Sequence, residues 1–185
     1  MFDHFGFLAP FYENFIKPKF PENLADLMDL PIEGVLLDVG GGTGRVSGFL
    51  AALTGKVVIA DLSEKMLQQS FTKEGLESVC SHAEKLPFPA DYFERVIIVD
   101  ALHHVCDQKQ TAQELWRVLK PGGKLVIEEP DIHHWGVKLV ALAEKVALMR
   151  SHFLQPSEIK DLYRPYTDKI QLIKDGHIAW IVIQK

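Results

Sequence analysis

The sequence predicts a three-layer α/β sandwich built on a mostly parallel sheet. From Gly34 onward, short runs of Val, Ile and Leu alternate with helix-length amphipathic segments. The runs are continuously apolar, as strands covered on both faces must be, and helices between them imply β-α-β crossovers. The last two runs flank Asp175-Gly176, a hairpin signal that ends the sheet in an antiparallel pair.

The elements follow in order. Residues 1–30 are rich in aromatics and Leu, broken by Pro10, Pro18 and Pro21 with Pro31 just beyond, which predicts one or two short helices ahead of the main fold. Gly34–Val39 (GVLLDV) is the first strand and Arg45–Leu53 a helix. Lys56–Ala60 (KVVIA) is the second strand, Glu64–Phe71 a helix, Glu77–Ser81 a short third strand and Arg95–Val99 (RVIIV) a fourth. Gln108–Leu119 reads as helix with Asp107 placed to cap it, and Pro121–Gly123 stops it. Lys124–Glu128 (KLVIE) is the fifth strand. Trp135–Met149 then reads as a helix with Leu139, Leu142, Val146 and Met149 on one face, and Ser157–Tyr163 as another. Lys169–Ile173 and His177–Ile183 complete the sheet.

Composition narrows the function classes. A chain of 185 residues, 47% hydrophobic and 24% charged, fits one globular domain with a real core. A net charge of -5 and the lack of a Lys/Arg run give no general attraction to nucleic acid or anionic lipid, so neither is expected as a partner. No apolar stretch reaches membrane-spanning length. The N-terminus (MFDHFGFLAPFYENF) carries Asp3, His4 and Glu13 and lacks a basic n-region, so it does not read as a signal peptide, and a cytoplasmic location is expected. Cys80 and Cys106 are far apart, without C-x-x-C spacing, and their apolar neighbours predict buried, inert thiols.

The most informative segment is Asp38-Val39-Gly40-Gly41-Gly42-Thr43-Gly44. Glycines between a first strand and a helix let backbone approach a ligand and expose amide donors. Dinucleotide binders use G-x-G-x-x-G, but here the third position falls on Arg45 and the loop closes as G-x-G-x-G at Gly44. Asp38 would also repel a diphosphate, whereas a cofactor bearing an ammonium and a sulfonium suits an acidic rim. Asp61 follows the second strand, where a carboxylate can accept from both ribose hydroxyls. The alternative duty for Asp61 is to cap the next helix, which Ser63 can do equally well.

Four blocks in order, LLDVGGGTGRVS, VVIADLSEKML, AEKLPFPADYFERVIIVDALHHV and ELWRVLKPGGKLVIEEP, resemble class I S-adenosylmethionine-dependent methyltransferases of the ubiquinone/menaquinone C-methyltransferase-like subgroup. The resemblance runs from about Val35 to Pro130. It implies a Rossmann-like α/β/α sandwich with a seven-stranded sheet, use of S-adenosylmethionine, release of S-adenosylhomocysteine and methylation of an unidentified small-molecule acceptor. It also implies site roles. Backbone at Gly40, Gly41, Gly42 and Gly44 would hold the methionine part, with Asp38 organising that loop. Asp61 would bind the ribose, and Leu62 and Met66 would lie at the nucleoside side. Ala83 and Glu84 would flank the adenine, and Asp100 or Ala101 would approach the sulfonium. Many relatives have an acid where this chain has His82; a neutral imidazole can also accept one hydrogen bond.

Methyl transfer needs donor and acceptor aligned, and needs a base only if the acceptor must lose a proton. Candidate bases are His103 and His104 after the fourth strand, His133 and His134 after the fifth, and Tyr12, with Asp131 nearby. The adjacent His pairs lack ligand spacing, so no metal is expected. Residues 1–30 and 131–168 are the expected helical cap and acceptor-side insert. Their aromatics, Phe2, Phe5, Phe7, Phe11, Tyr12, Phe15, Trp135, Phe153, Tyr163 and Tyr166, suit a small apolar acceptor or ordinary core packing. The short insert leaves the pocket open, or completed by a second subunit in a homodimer. The competing readings are a non-catalytic cofactor-binding subunit, a nicotinamide-dependent oxidoreductase, against which the loop spacing argues, and an aminopropyl transferase, which lacks an evident acidic cluster.

Overall fold

A computed structural model describes residues 21–135, 137–138 and 151–185. Phe2, Phe5, Phe7, Phe11, Tyr12 and Phe15, and most of the helix expected over Trp135–Met149, lie outside the described residues. The chain runs α1 (Pro21–Leu27), β1 (Ile32–Val39), α2 (Ser47–Leu50) with a 3-10 turn Ala51–Leu53, β2 (Thr54–Asp61), α3 (Glu64–Ser70), β3 (Leu76–Cys80) and β4 (Phe93–Val99). A 3-10 turn Leu102–His104 leads to α4 (Gln108–Val118), β5 (Leu119–Pro130), α5 (Pro156–Tyr163), β6 (Ile170–Asp175) and β7 (Ile178–Gln184).

All seven expected strands form one sheet in the order β3-β2-β1-β4-β5-β7-β6. Strands β1 to β5 pair in parallel, while β7 is antiparallel to both β5 and β6. The order reverses at β1, which has β2 on one side and β4 on the other, so a crevice is expected at its carboxyl end. The Asp175-Gly176 turn connects β6 and β7, with Gly176 at φ +57°.

Two boundaries differ from the sequence reading. The helix expected over Arg45–Leu53 is α-helical only at Ser47–Leu50, because Val46 at its N-cap offers no capping side chain. Pro121–Gly123 does not terminate α4; the helix ends at Val118 and β5 starts at once, with Leu119 paired to Phe93. A register shift between Phe93 and Arg95 absorbs that early start. Asp107 does cap α4, accepting from the Gln110 amide at 2.9 Å.

Alternate residues of each central strand feed opposite layers. Leu37, Val58, Val96, Ile98 and Ile127 pack beneath α4 and α5, with Leu115 and Ile159. Leu36, Val57, Ile97, Val126 and Trp180 pack on the other face with Leu24 and Met28 of the α1 region. Each fully buried aliphatic side chain contributes roughly 1.5–3 kcal/mol. A solvent-screened surface pair such as Lys56–Glu77 adds little beside them, so these two layers hold the sheet. Arg95 fixes the end of the α1 region, donating from Nε to Met28 O at 2.5 Å.

A polar clip explains why the LPFP and ELWRV blocks occur together. Glu114 accepts from the Leu86 amide at 2.9 Å and from Arg117, whose guanidinium also donates to Phe88 O at 2.8 Å and Leu86 O at 3.2 Å. Arg117→Leu removes these charge-assisted bonds and is expected to cost about 2 kcal/mol, read as a lowered urea midpoint with unchanged slope.

The cysteine expectation is corrected. Cys80 and Cys106 are both exposed free thiols, because Cys80 ends the sheet-edge strand β3 and Cys106 lies in the turn before α4. Among the described residues, no helix is long and apolar enough to cross a membrane.

Candidate cofactor and active site

The glycine loop lies at the switch point. Gly40 has φ +72°, and a Cβ there would stand 2.5 Å from Ala101 Cβ, so the loop rests directly on the turn after β4. Gly44 has φ +73°, and its missing Cβ would meet Leu76 at 2.8 Å, which lets the loop settle onto β2 and β3. Asp61 closes the loop from the end of β2. Its Oδ2 accepts from the Gly42 amide at 2.9 Å and its Oδ1 from the Ser63 amide at 2.7 Å. Ser63 caps α3, its Oγ accepting from the Met66 amide at 3.4 Å, so capping does not fall to Asp61. Met66 is buried behind Gly42, Leu62 is exposed at the rim, and Gly41 packs on Asp38. The Thr43 hydroxyl is buried in this loop with no hydrogen-bond partner among the described residues.

Beneath the loop lies a polar layer that the sequence does not juxtapose. Asp38 is 1% exposed and accepts from Ser47 Oγ at 2.6 Å. Burial pushes its carboxyl up to about 6, opposed by the Ser47 hydrogen bond and reinforced by the Asp61 charge. Glu128, on the same face of β5, is pushed up to about 7 by burial, despite the Trp180 Nε1 donor at 2.7 Å, with Asp100 adding repulsion. Arg45 is the cation of this layer, 4.0 Å from Asp100. Asp100 follows β4 at φ +51°, a region few residues other than glycine adopt and one in which Asp is enriched.

Beyond β2 and β3, the Ser81 amide donates to Asp61 O at 2.9 Å, tying the two strand ends together. The Ser81 hydroxyl is buried with no partner among the described residues. The His82 side chain is 62% exposed and Ala83 packs on the core. Glu84 braces the start of α4, its Oε1 accepting from the Cys106 and Asp107 amides at 2.7 and 3.1 Å.

The four histidines separate into two environments. His103 is buried, with Nδ1 2.5 Å from Glu129 Oε2, and its ring stacks on Phe153 at 4.2 Å. Burial and the neighbouring His103 push His104 down to about 3, so that ring is neutral at ordinary pH. His133 Nδ1 lies 2.8 Å from Asp131 Oδ1, and Lys174 donates to Asp131 Oδ2 at 2.7 Å. Burial alone would raise the Asp131 carboxyl, but the Lys174 and His133 hydrogen bonds hold it at about 2. His134 and Trp135 are exposed and their rings stack on each other. Of the aromatics that suited either a pocket or the core, Tyr163 is fully buried in the core, and Tyr166 stacks on Trp116. Tyr12 lies outside the described residues, among which no group of three His, Cys, Asp or Glu could hold a metal ion.

Sequence reasoning missed Arg45, Ser47, Glu128 and Glu129. The available signal was Glu128-Glu129 at the end of an apolar run, where charge is out of place unless it faces a site.

Residues 37–127 match the methyltransferase domain family. A ubiquinone/menaquinone biosynthesis C-methyltransferase of Escherichia coli is 38% identical over 104 residues, covering 51% of this chain and 41% of that protein. The chain therefore spans less than half the length of this relative. Two solved S-adenosylmethionine-dependent methyltransferases match nearly end to end, at levels of identity that speak to the fold alone. One, from Thermotoga maritima, has TM-score 0.75 and 22% identity over 98% of both chains. The other, from Aquifex aeolicus, has TM-score 0.72 and 18% identity over 98% of both. The family match and the fold agree: residues 37–127 match a methyltransferase domain, and the chain is similar to solved S-adenosylmethionine-dependent methyltransferases in its fold.

Proposed function

We propose that this chain binds S-adenosylmethionine across the carboxyl ends of β1, β2 and β4 and methylates a small-molecule acceptor, releasing S-adenosylhomocysteine. The bound cofactor supplies a methyl carbon activated by positive sulfur. The protein binds, orients and excludes water. Asp61 accepts from the ribose hydroxyls while holding the Gly42 amide. Gly40, Gly41, Gly42 and Gly44 let backbone meet the methionine end, where Asp38 and Asp100 set a negative field for a cationic ligand. Leu62, Met66, His82, Ala83 and Glu84 border the nucleoside side, and Ala101 supports Gly40 from below. The chain acts as one domain, with residues 131–168 as the acceptor-side insert. The E. coli relative's name, a C-methyltransferase of quinone biosynthesis, supports a small-molecule acceptor.

The observation that carries this reading is the Asp61 carboxylate bridging β2 to the Gly42 amide, beside a buried and unpartnered Thr43 hydroxyl. A diphosphate placed against Asp38 and Asp61 would meet repulsion rather than a donor nest. Calorimetric titration should therefore give micromolar S-adenosylhomocysteine binding, about 8 kcal/mol, and no heat with NAD. Binding of NAD alone would overturn the assignment.

A further inference from the structure

Arg45 directly follows the glycine loop, and its side chain is only 12% exposed. A guanidinium keeps its charge and carries five N–H donors, so burying one calls for several acceptors. Two other arginines of this chain meet that demand. Arg117 donates to Glu114, Phe88 O and Leu86 O, and Arg95 to Met28 O and Glu94 O. Arg45 donates no hydrogen bond among the described residues. Its one ion pair there is the 4.0 Å approach to Asp100 Oδ2, too long for a hydrogen bond. Nor are its nitrogens sealed in. The buried polar side-chain atoms that lack a partner among the described residues are the hydroxyls of Thr43, Ser81, Thr111 and Tyr163. The Arg45 donors therefore face open space.

That space belongs to the crevice. Asp100 follows β4 and precedes Ala101, whose Cβ stands 2.5 Å from where a Cβ on Gly40 would be. Arg45 thus reaches from the far end of the glycine loop to the same turn that Gly40 touches from the near end. Its charge also opposes the upward shift of the Asp38 carboxyl on β1 and of the Glu128 carboxyl on β5. The guanidinium accordingly stands over the ends of β1, β4 and β5, at the switch point of the sheet. Cation and acid side by side suit the head group of an α-amino acid, which carries a carboxylate next to an ammonium.

We propose that Arg45 is the carboxylate-binding residue of the crevice, a specificity-determining side chain that takes a ligand's carboxylate as a bidentate pair while Asp100 faces the adjoining cation. This rests on reading the crevice as a methyl-transfer site. Two ligands of such a site can carry the group: the amino-acid end of the cofactor, or an acceptor that is itself a carboxylic acid.

The test titrates wild type, Arg45→Met and Arg45→Lys with S-adenosylhomocysteine and with its decarboxylated analogue, which keeps the ammonium. Benzoate is titrated into each protein, both saturated with S-adenosylhomocysteine and unloaded. Wild type should bind the intact ligand roughly thirtyfold more tightly than the analogue, and Arg45→Met should bind the two alike. Arg45→Lys keeps the charge without the planar fork and should retain part of the preference. The urea midpoint of Arg45→Met should not fall, because the guanidinium has no hydrogen bond to lose. A lowered midpoint with both nucleosides weakened equally makes Arg45 a structural tie and overturns the proposal. If wild type lacks the preference, or Arg45→Met keeps it, benzoate decides. Binding to the saturated wild type but not to Arg45→Met assigns the carboxylate to the acceptor; binding to both or to neither overturns the proposal. Should Arg45→Met fail to fold, Arg45→Lys is read instead, and an unchanged preference with unchanged benzoate binding overturns the proposal. A wild type that binds neither nucleoside sinks the cofactor reading. Benzoate binding to the unloaded protein then judges Arg45, which stands if the variant loses it and falls otherwise.

Discussion

Asp61→Ala is expected to weaken S-adenosylhomocysteine binding by at least about a hundredfold, near 3 kcal/mol, with the fold retained but the unfolding midpoint lowered. The size follows from the position of the carboxylate. Hydrogen bonds to a charged group contribute about 1.5–3 kcal/mol each, and the ribose would offer two. Asp61 also receives the Gly42 and Ser63 amides at 2.9 and 2.7 Å, so its loss releases the loop as well as the ligand. The fold should survive, because the neighbouring core residues Ile59 and Ala60 are untouched and Ser63 still caps α3. Asp61→Asn provides the calibration. Its single carbonyl oxygen can replace one acceptor but not two, so an intermediate loss of roughly tenfold is expected. Calorimetry that found wild-type affinity in the alanine variant would remove Asp61 from the ribose and leave it only the loop.

The sheet was legible because its signal is local. Buried parallel strands show as apolar runs, and each of the seven runs became a strand. The glycine loop and Asp61 were legible because backbone geometry and a strand end restrict which residues serve there. What escaped were contacts between strands. Arg45, Asp100 and Glu128 are remote in sequence and meet only because β1, β4 and β5 are neighbours. Glu129 was missed for the same reason, since its partner His103 belongs to a turn whose path no periodicity encodes. The sequence leaves Tyr163 open between a pocket and the core. An aromatic residue in an insert suits a pocket and a core equally, and here α5 turns it into the core. Cys80 and Cys106 misled because apolar neighbours in sequence say little about exposure at a sheet edge or a turn.

Asp38→Asn should raise stability and lower cofactor affinity at once. The carboxyl is wholly buried, and burial moves its pKa from 3.8 to about 6. A raised folded-state pKa means that the native protein keeps a proton the unfolded chain has released. Stability therefore falls as pH rises from about 4 to 6, and the deficit stays constant above that window. Its full size is about 3 kcal/mol, an upper figure because a buried site relaxes. Asparagine carries no charge and can still accept from Ser47 Oγ, so most of this deficit should vanish. Urea melts should show the variant more stable by about 2–3 kcal/mol at pH 8 and by about half that at pH 5. Taking the difference between variant and wild type matters. Glu128, held near 7, adds a slope of the same sign, whereas His104, held near 3, adds stability as pH rises toward its unfolded value of 6.5. Both cancel in the comparison. If the ionised Asp38 serves the cationic end of the cofactor, the stabilised variant should bind S-adenosylmethionine roughly tenfold more weakly, and S-adenosylhomocysteine, which lacks the sulfonium charge, less so. Stability and affinity moving in opposite directions would identify Asp38 as a charge held in the core for its ligand. If both fell together, Asp38 would be a structural support of the loop, and the negative field for the sulfonium would have to come from Asp100 and Glu128.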